Sequence, residues 1–169
     1  MIEKEKEMDG IKVRVGTPED LEGCMDLFIQ ANEENGIDEM DVQKLLGIVW
    51  PSLHQDGGLV GVIGEPGMPP EGVVLLRIEQ LWYSNAPVIA EKLVFVHQDF
   101  RSAKGGRAKK LCEFSKRVSD EMGIPLIIGV VSTDRTKGKV RLYERVFGEP
   151  AGAFFLYGAK TGAQRDEAA

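Results

Sequence analysis

Two long apolar segments separated by only three residues constrain the fold of this chain more than any other feature. The segments read VVLLRIEQLWYS (residues 73–84) and VIAEKLVFV (residues 88–96), with NAP between them. Segments rich in β-branched and aromatic residues around a short proline-containing turn predict two consecutive strands of the hairpin type. A doubly wound parallel sheet, in which a helix follows each strand, is therefore excluded.

Further strand patterns alternate with helical ones along the chain. IKVRV, GGLVGVIGE, LIIGVV and AGAFFLYG are predicted as strands, and AGAFFLYG (residues 151–158) is the last. A first helix is expected to end at a left-handed Gly36, and a second to begin at Asp41 and stop at Pro51. The order β-α-α-β-β-β-α-β-α-β predicts an α+β domain of the mixed three-layer α/β/α type.

Composition is typical of one globular domain. The chain has 169 residues, of which 43% are hydrophobic and 28% charged, and its net charge of −6 argues against a general nucleic-acid binder. We predict a single domain with flexible ends at 1–9 and 160–169. No apolar run approaches a membrane span, the amino terminus lacks a signal-peptide core, and a cytoplasmic protein is expected. Cys24 and Cys112 are predicted to be buried thiols, and two Cys with two His leave few ligands for a metal.

A basic, glycine-bearing bend lies within VHQDFRSAKGGRAKKLCEF (residues 96–114). Backbone N–H groups at a helix N-terminus bind anions, and glycine lets a ligand approach the backbone closely. The bend lacks the Gly-Lys-Ser/Thr ending of a Walker loop and the spacing of a dinucleotide fingerprint. Taken alone, it fits a phosphate site and a plain turn with a solvated basic helix face about equally well.

The order of these pieces resembles a known family. A strand ending in VHQDFR, a basic bend opening a helix, a buried strand and a helix carrying LYER (residues 142–145) are similar to the GNAT superfamily of acyl-CoA-dependent N-acyltransferases. The resemblance spans residues 11–158 and is most specific over 91–148. QLWYS together with VRLYERVFGEPAGAFFLYG is also similar to phage- and prophage-borne acetyltransferase-like proteins. The family implies a central, mostly antiparallel sheet of six to seven strands flanked by about four helices.

The register of the bend within the family motif follows from the helix behind it. The motif's two small residues fall on Gly106 and Ala108 when the helix buries the stripe that begins with Leu111 and Cys112. The other register, counted from Arg101, would place two lysines on that stripe, and buried lysines without partners are costly. We therefore prefer the first register.

Four features depart from the family pattern, and one of them is VFG (residues 146–148), which replaces the usual Leu-Gly-Phe after the tyrosine motif. Gln98 stands at a usual Pro, and Phe100 at a usual Tyr. Thr136 stands where an Asn often precedes the catalytic Tyr by seven residues, which puts a side-chain contact to the acyl-CoA arm in doubt.

The resemblance also implies roles for individual residues. Acetyl-CoA is the implied cosubstrate, a primary amine the acceptor, and no metal takes part. Tyr143 would protonate the departing thiolate, and Glu91 would act as general base on the amine. The implied acyl-CoA contacts are Leu93, Val94, Phe95 and Val96 on the strand, Ala103, Lys104, Gly105, Gly106, Arg107 and Ala108 in the bend, Arg101 beside it, and Thr136.

Alternatives stay open for the base. Glu91 fits equally well as a solvent-facing strand residue paired with Lys92 or Arg77, and Glu79 on the neighbouring strand is a second candidate.

Alternatives also stay open for the function. The chain could bind acyl-CoA or a protein partner without transfer. It could also bind nucleic acid or a phosphopeptide through the basic residues Arg101, Lys104, Arg107, Lys109, Lys110, Lys116 and Arg117, although its acidic remainder disfavours this. Trp82 and Tyr83 are expected in the core, a homodimer is possible, and the acceptor cannot be read from the sequence.

Overall fold

The computed structural model of the chain describes residues 10–101, 106–131 and 136–166. Short 3-10 turns precede the first helix and follow the fourth strand. In chain order the elements are β1 (Arg14–Val15), α1 (Leu21–Asn35), α2 (Val42–Leu53), β2 (Gly58–Ile63), β3 (Gly72–Gln80), β4 (Pro87–Val96), α3 (Gly106–Met122), β5 (Leu126–Ile127), α4 (Thr136–Phe147) and α5 (Gly162–Asp166).

One sheet runs through the described residues in the order β1-β2-β3-β4-β5. The first four strands pair antiparallel and β5 pairs parallel to β4, which confirms a mostly antiparallel sheet. The expected six to seven strands are wrong, since five are present in the described parts of the chain. AGAFFLYG (residues 151–158) is not a strand there, and LIIGVV contributes only Leu126 and Ile127.

The predicted hairpin is β3 and β4, the most extensively paired strands of the sheet. Their register is continuous except at one point, where Leu75 pairs with Leu93 but Leu76 pairs with Glu91. Lys92 is therefore an extra residue in β4, which is the geometry of a β-bulge. Such bulges bend a strand and redirect its side chains, here beside Glu91.

Helices cover both faces of the sheet and give the expected layers. Successive strand residues point to opposite faces, so Val73 and Leu75 pack against α1 and α2 while Val74 and Leu76 pack against α3. α4 in turn packs on α3. Both cysteines are free and buried, as predicted.

Several sequence-based expectations differ from the structure at the ends of elements. Gly36 ends α1 with an extended backbone, φ −65° and ψ 150°, and not a left-handed one. Glycine is needed there because a Cβ would overlap both the side chain and the backbone carbonyl of Asn32. The predicted stop at Pro51 is wrong, since Pro51 lies inside α2, which continues to Leu53. Burial of the last turn of α2, at Val49 and Leu53, outweighs the backbone donor that the proline removes.

The carboxyl-terminal segment and one aromatic pair also differ. Part of the segment expected to be flexible forms α5, where Arg165 donates hydrogen bonds to the carbonyls of Gly36 and Ile37 at 3.3 and 2.7 Å. Trp82 and Tyr83 are not in the core. They lie in the turn after β3 and are 94% and 68% exposed.

Candidate functional site

The two neighbouring strands β4 and β5 diverge shortly after they meet. Their parallel pairing covers only Ile89 with Leu126 and Ala90 with Ile127. Beyond Ala90, β4 pairs with β3 on one edge, while no described strand pairs with its other edge. The predicted ligand-pairing residues, 93–96, lie on this part of β4, where unpaired backbone groups can bind an extended ligand. We call the gap between the two strands the fork.

Glu91 lies at the point where the fork opens. Its Oε2 accepts a hydrogen bond from the Gly129 backbone N–H at 3.2 Å, which links β4 to the chain just after β5. Burial raises the pKa of the Glu91 carboxyl to about 7, an effect only partly offset by the Gly129 N–H and by nearby Lys92 and Lys139. A carboxyl that titrates near neutral pH suits a general base.

The structure does not pair Glu91 with either of the partners that the sequence suggested. Lys92 forms its ion pair with Glu79, and the Glu79 side chain is largely exposed. The Arg77 guanidinium donates to Ser52 Oγ at 3.0 Å and to the Asp56 carbonyl at 2.8 Å. Of the two candidate carboxylates, Glu91 is the one at the fork.

Tyr143 projects from α4 toward the same place. Burial raises the pKa of its phenol well above the usual range, and the Cys112 thiol and Glu91 raise it further. The Tyr143 hydroxyl and the Cys112 thiol lie close enough to influence each other's pKa. Burial likewise raises the pKa of Cys112, to about 12, so its sulfur stays protonated and unreactive at neutral pH. Glu91, Cys112 and Tyr143 form one group of side chains, which we call the fork cluster.

After Arg101, the described part of the bend resumes at Gly106, the first residue of α3. Gly106 is buried there, and the backbone N–H groups of Gly106, Arg107 and Ala108 occupy the first turn, where a helix has no internal acceptors for them. Ala103, Lys104 and Gly105 lie outside the described residues. The apolar stripe that fixed the register is confirmed, since Leu111, Cys112, Ser115 and Val118 are all buried.

Both arginines of the bend are held by carboxylates. Arg101 makes two hydrogen bonds to Glu34, at 2.8 and 2.7 Å, and a third to the Val96 carbonyl at 2.9 Å. Arg107 pairs with Glu71 at 2.8 Å. These contacts tie the end of β4 to α1 and the start of α3 to the loop before β3.

Thr136, at the start of α4, is half-buried beside a cleft of about 570 Å³. The residues that line the cleft are partly apolar and partly polar. Its lining comprises Val130, Val131, Thr136, Phe154, Leu156, Ala159, Lys160, Thr161 and Gln164. Since Val130 follows directly on the residue that bonds Glu91, the cleft borders the fork.

Sequence reasoning found Glu91 and Tyr143 but missed what Cys112 and Gly129 do. The apolar stripe of α3 predicts Cys112 as a core residue only, and no sequence pattern shows that α4 brings a tyrosine close to it. Gly129 carries no side chain that could signal its contact with Glu91.

Two further classes of site receive no support in the described residues. No group of three His, Cys, Asp or Glu residues there could hold a metal ion. Among the helices at 21–35, 42–53, 106–122, 136–147 and 162–166, none is long and apolar enough to cross a membrane.

Comparison with known proteins identifies the fold. No protein-family model matches the chain, and no curated protein matches it. Several solved structures, in contrast, are similar to it. The aminoglycoside acetyltransferase AAC(6')-Iy, in complex with a CoA-containing bisubstrate analogue, is similar with a TM-score of 0.63 at 19% identity, over 87% of this chain and 96% of that one.

Two other solved structures show the same likeness. The aminoglycoside acetyltransferase meta-AAC0020, from an uncultured soil metagenomic sample, has a TM-score of 0.61 at 18% identity over 90% of this chain and 98% of that one. A possible acetyltransferase from Clostridium difficile 630 has a TM-score of 0.63 at 18% identity, over 87% and 96%. The chain therefore has an acetyltransferase fold along most of its length.

Proposed function

We propose that this protein is an acetyl-CoA-dependent N-acetyltransferase that acts on a primary amine by direct attack, without a covalent enzyme intermediate. The observation that carries the proposal is the fork cluster, in which a carboxyl that titrates near neutral pH and a tyrosine hydroxyl meet where β4 has an open edge. The fold shared with known acetyltransferases supports it.

The open edge and the start of α3 suit the two ends of acetyl-CoA. The backbone of Leu93, Val94, Phe95 and Val96 would pair with the extended pantetheine arm. The first-turn amides of α3, at Gly106, Arg107 and Ala108, would meet the pyrophosphate at the positive end of the helix dipole. Ala103, Lys104 and Gly105 stay predictions for the same site. Arg101 already satisfies its guanidinium with Glu34 and Val96, so we assign it the task of holding the end of β4.

The fork cluster supplies the proton transfers that aminolysis of a thioester requires. The amine nitrogen attacks the carbonyl carbon, a C–N bond forms, and the C–S bond breaks. Glu91, as carboxylate, takes the proton that the amine loses, and Tyr143 gives its proton to the departing sulfur. Near neutral pH, Glu91 is about half ionised and Tyr143 fully protonated, which are the states needed for the two roles.

We place the acceptor in the cleft beside Thr136, because the cleft borders Glu91, and Thr136 thereby moves from the acyl-CoA contacts that the family implies to the acceptor side. The aminoglycosides and the CoA-linked analogue named for the similar structures bind to those proteins, and they define only the first compounds to try here. A cytoplasmic location, a homodimer and a kinship to phage-borne members stay predictions.

The test is a thiol-release assay with acetyl-CoA and a panel of kanamycin, spermidine, lysine and a lysine-containing peptide. We expect turnover with at least one amine, and a fall in kcat of about 100-fold in Tyr143→Phe with unchanged affinity for acetyl-CoA. Tyr83→Phe is the matched control, since Tyr83 lies exposed in a turn. Acetyl-CoA binding without turnover on any amine would instead favour a binding protein, and equal activity of the two variants would remove Tyr143 from the mechanism.

A further inference from the structure

We propose that Glu71 is a positioning residue for acetyl-CoA, which holds the open edge of β4 and the first turn of α3 at the spacing that one extended ligand needs to contact both. Glu71 lies immediately before β3 and belongs to neither of these two elements. The inference rests on the proposed function for the identity of the ligand, whereas the contacts that carry it are made within the chain itself.

The backbone of Glu71 is held by hydrogen bonds on both sides. Its N–H donates to the carbonyl of Ile63, the last residue of β2, at 2.9 Å. Its carbonyl accepts from the N–H of His97, just beyond β4, also at 2.9 Å. The next residue, Gly72, is buried and pairs with both neighbouring strands. The sheet therefore fixes the point from which the Glu71 side chain extends.

The side chain of Glu71 reaches from the sheet to α3. Its Oε2 accepts a hydrogen bond from Arg107 Nε at 2.8 Å, in an ion pair whose two side chains are 31% and 24% exposed. A partly buried pair is screened by salt less than a surface pair. Arg107 is the second residue of α3, so the pair ends in the turn whose backbone N–H groups are proposed to meet the pyrophosphate.

The Arg107 guanidinium is also in contact with Phe100, in the short 3-10 turn after β4. Nη1 donates to the Phe100 carbonyl at 3.2 Å, and Cζ lies 4.9 Å from the centroid of the Phe100 ring. A guanidinium over an aromatic ring is attracted by its electron-rich face. With Glu71 on one side and Phe100 on the other, Arg107 is held between the sheet and the chain that leaves β4.

The spacing matters because acetyl-CoA would contact the two elements with different parts of one molecule. The pantetheine arm would pair with residues 93–96 of β4, and the pyrophosphate would meet the amides of residues 106–108. Two joined parts bind more tightly than either part alone only when the two sites lie at the distance that the joint spans. Of the two carboxylates that hold Arg101 and Arg107, Glu71 is the one whose arginine belongs to α3.

The test compares acetyl-CoA with its two halves, S-acetyl-pantetheine and adenosine 3′-phosphate 5′-diphosphate, as ligands of the full chain. In Glu71→Ala we expect the Kd of acetyl-CoA to rise about 10-fold, which corresponds to the loss of one charge-assisted hydrogen bond. The Kd of each half should stay as in the wild type, because each half needs only one of the two elements. Local damage to either element would instead weaken the binding of one half.

Three further variants make the comparison specific to the ion pair. Glu71→Gln retains an oxygen that can accept from Arg107 and should keep more of the acetyl-CoA affinity than Glu71→Ala. In an Arg107→Ala background, Glu71→Ala should cause no further loss, since the pair is already broken. Glu79→Ala is the matched control, because it removes an exposed ion pair with Lys92 near the other end of β3 and should leave all three Kd values unchanged.

Three results would overturn the inference while the proposed function stands. They are an unchanged Kd of acetyl-CoA in Glu71→Ala, a loss of the same factor for one of the halves, and tighter binding of the nucleotide half. The last would show that Glu71 only shields Arg107 from phosphate groups. A wild-type protein that does not bind acetyl-CoA would overturn the inference and the proposed function together.

Discussion

The Glu91 carboxyl links pH to catalysis, because burial raises its pKa from 4.5 to about 7. A general base acts only when deprotonated, so kcat/KM should rise with pH and level off above about pH 7. Glu91→Gln should lower kcat/KM and remove this rise, measured as CoA release across the pH range. Tyr143→Phe, which leaves the base in place, should keep the rise at a lower rate. The same rise in Glu91→Gln would assign the base to another residue.

The same carboxyl links pH to stability, with the opposite sign from most acidic residues. Its folded pKa lies above its unfolded value, so the stability it contributes is complete below about pH 4.5 and is lost as the pH rises to about 7. Glu91→Gln keeps an oxygen for the Gly129 N–H. It should raise the free energy of unfolding at about pH 8 by up to about 3 kcal/mol, and by much less near pH 4.5.

Urea unfolding at the two pH values measures this difference. Glu79→Gln is the control, because it removes only an exposed ion pair with Lys92 and should change the free energy of unfolding by less than about 1 kcal/mol. A stabilising effect of Glu91→Gln that does not depend on pH would contradict burial of the charge as its cause.

At the scale of secondary-structure elements, β2 and α3 approach each other closely at Gly61. A Cβ built there would lie 2.7 and 2.8 Å from two ring atoms of Phe114 and 2.8 Å from a methyl group of Val74. Gly61→Ala should therefore destabilise the protein by about 1–3 kcal/mol through overpacking. Gly47, inside α2, has no atom within 4 Å of its Cβ position, and Gly47→Ala should stabilise by about 0.5–1 kcal/mol. Thermal unfolding of both variants measures the difference, and a stable Gly61→Ala would contradict the close approach.

The elements also show how far the sequence determines this fold. Local patterns were sufficient for the β3–β4 hairpin and the buried stripe of α3, because apolar spacing itself decides which face is buried. They were insufficient for residues 151–158, because a strand also needs a neighbour that pairs with it. At Gly36 and Pro51 the outcome depended on Asn32 and on the packing of α2, which residue preferences do not contain.

The candidate site, like the fold, could be predicted only in part from the sequence. Glu91 and Tyr143 could be named from the family pattern, since each sits in a recognisable stretch of sequence. Their meeting at the fork could not be derived from spacing, because it requires β4 and β5 to part after Ala90 and α4 to pack on α3. Cys112 enters the cluster only through that packing.

For the molecule as a whole, charge decides between an acyl-CoA site and a nucleic-acid surface. The net charge is −6, and the basic residues of the described chain near the bend each have an intramolecular partner within 4.0 Å, close for Arg101 and Arg107 and longer and exposed for Arg117. Nucleic-acid binding requires many cationic groups that can neutralise phosphates. The observed contacts are Arg101 with Glu34, Arg107 with Glu71, Lys109 and Lys110 with Glu113, Arg117 with Glu121, and Lys116 with the Val146 carbonyl.

Thermal unfolding in the presence of acetyl-CoA, CoA or a short DNA duplex measures which of these ligands binds the folded protein. A ligand that binds only the folded state at 100 times its Kd stabilises by about 2.7 kcal/mol, so either CoA species should raise Tm by about 5–10 °C. The duplex should produce no shift at physiological salt, because the protein is acidic and because its binding would have to break the ion pairs of Arg101 and Arg107. A shift with the duplex alone would favour a nucleic-acid-binding module. The absence of a shift with both CoA species at millimolar concentration would exclude both the acetyltransferase and the acyl-CoA-binding alternative.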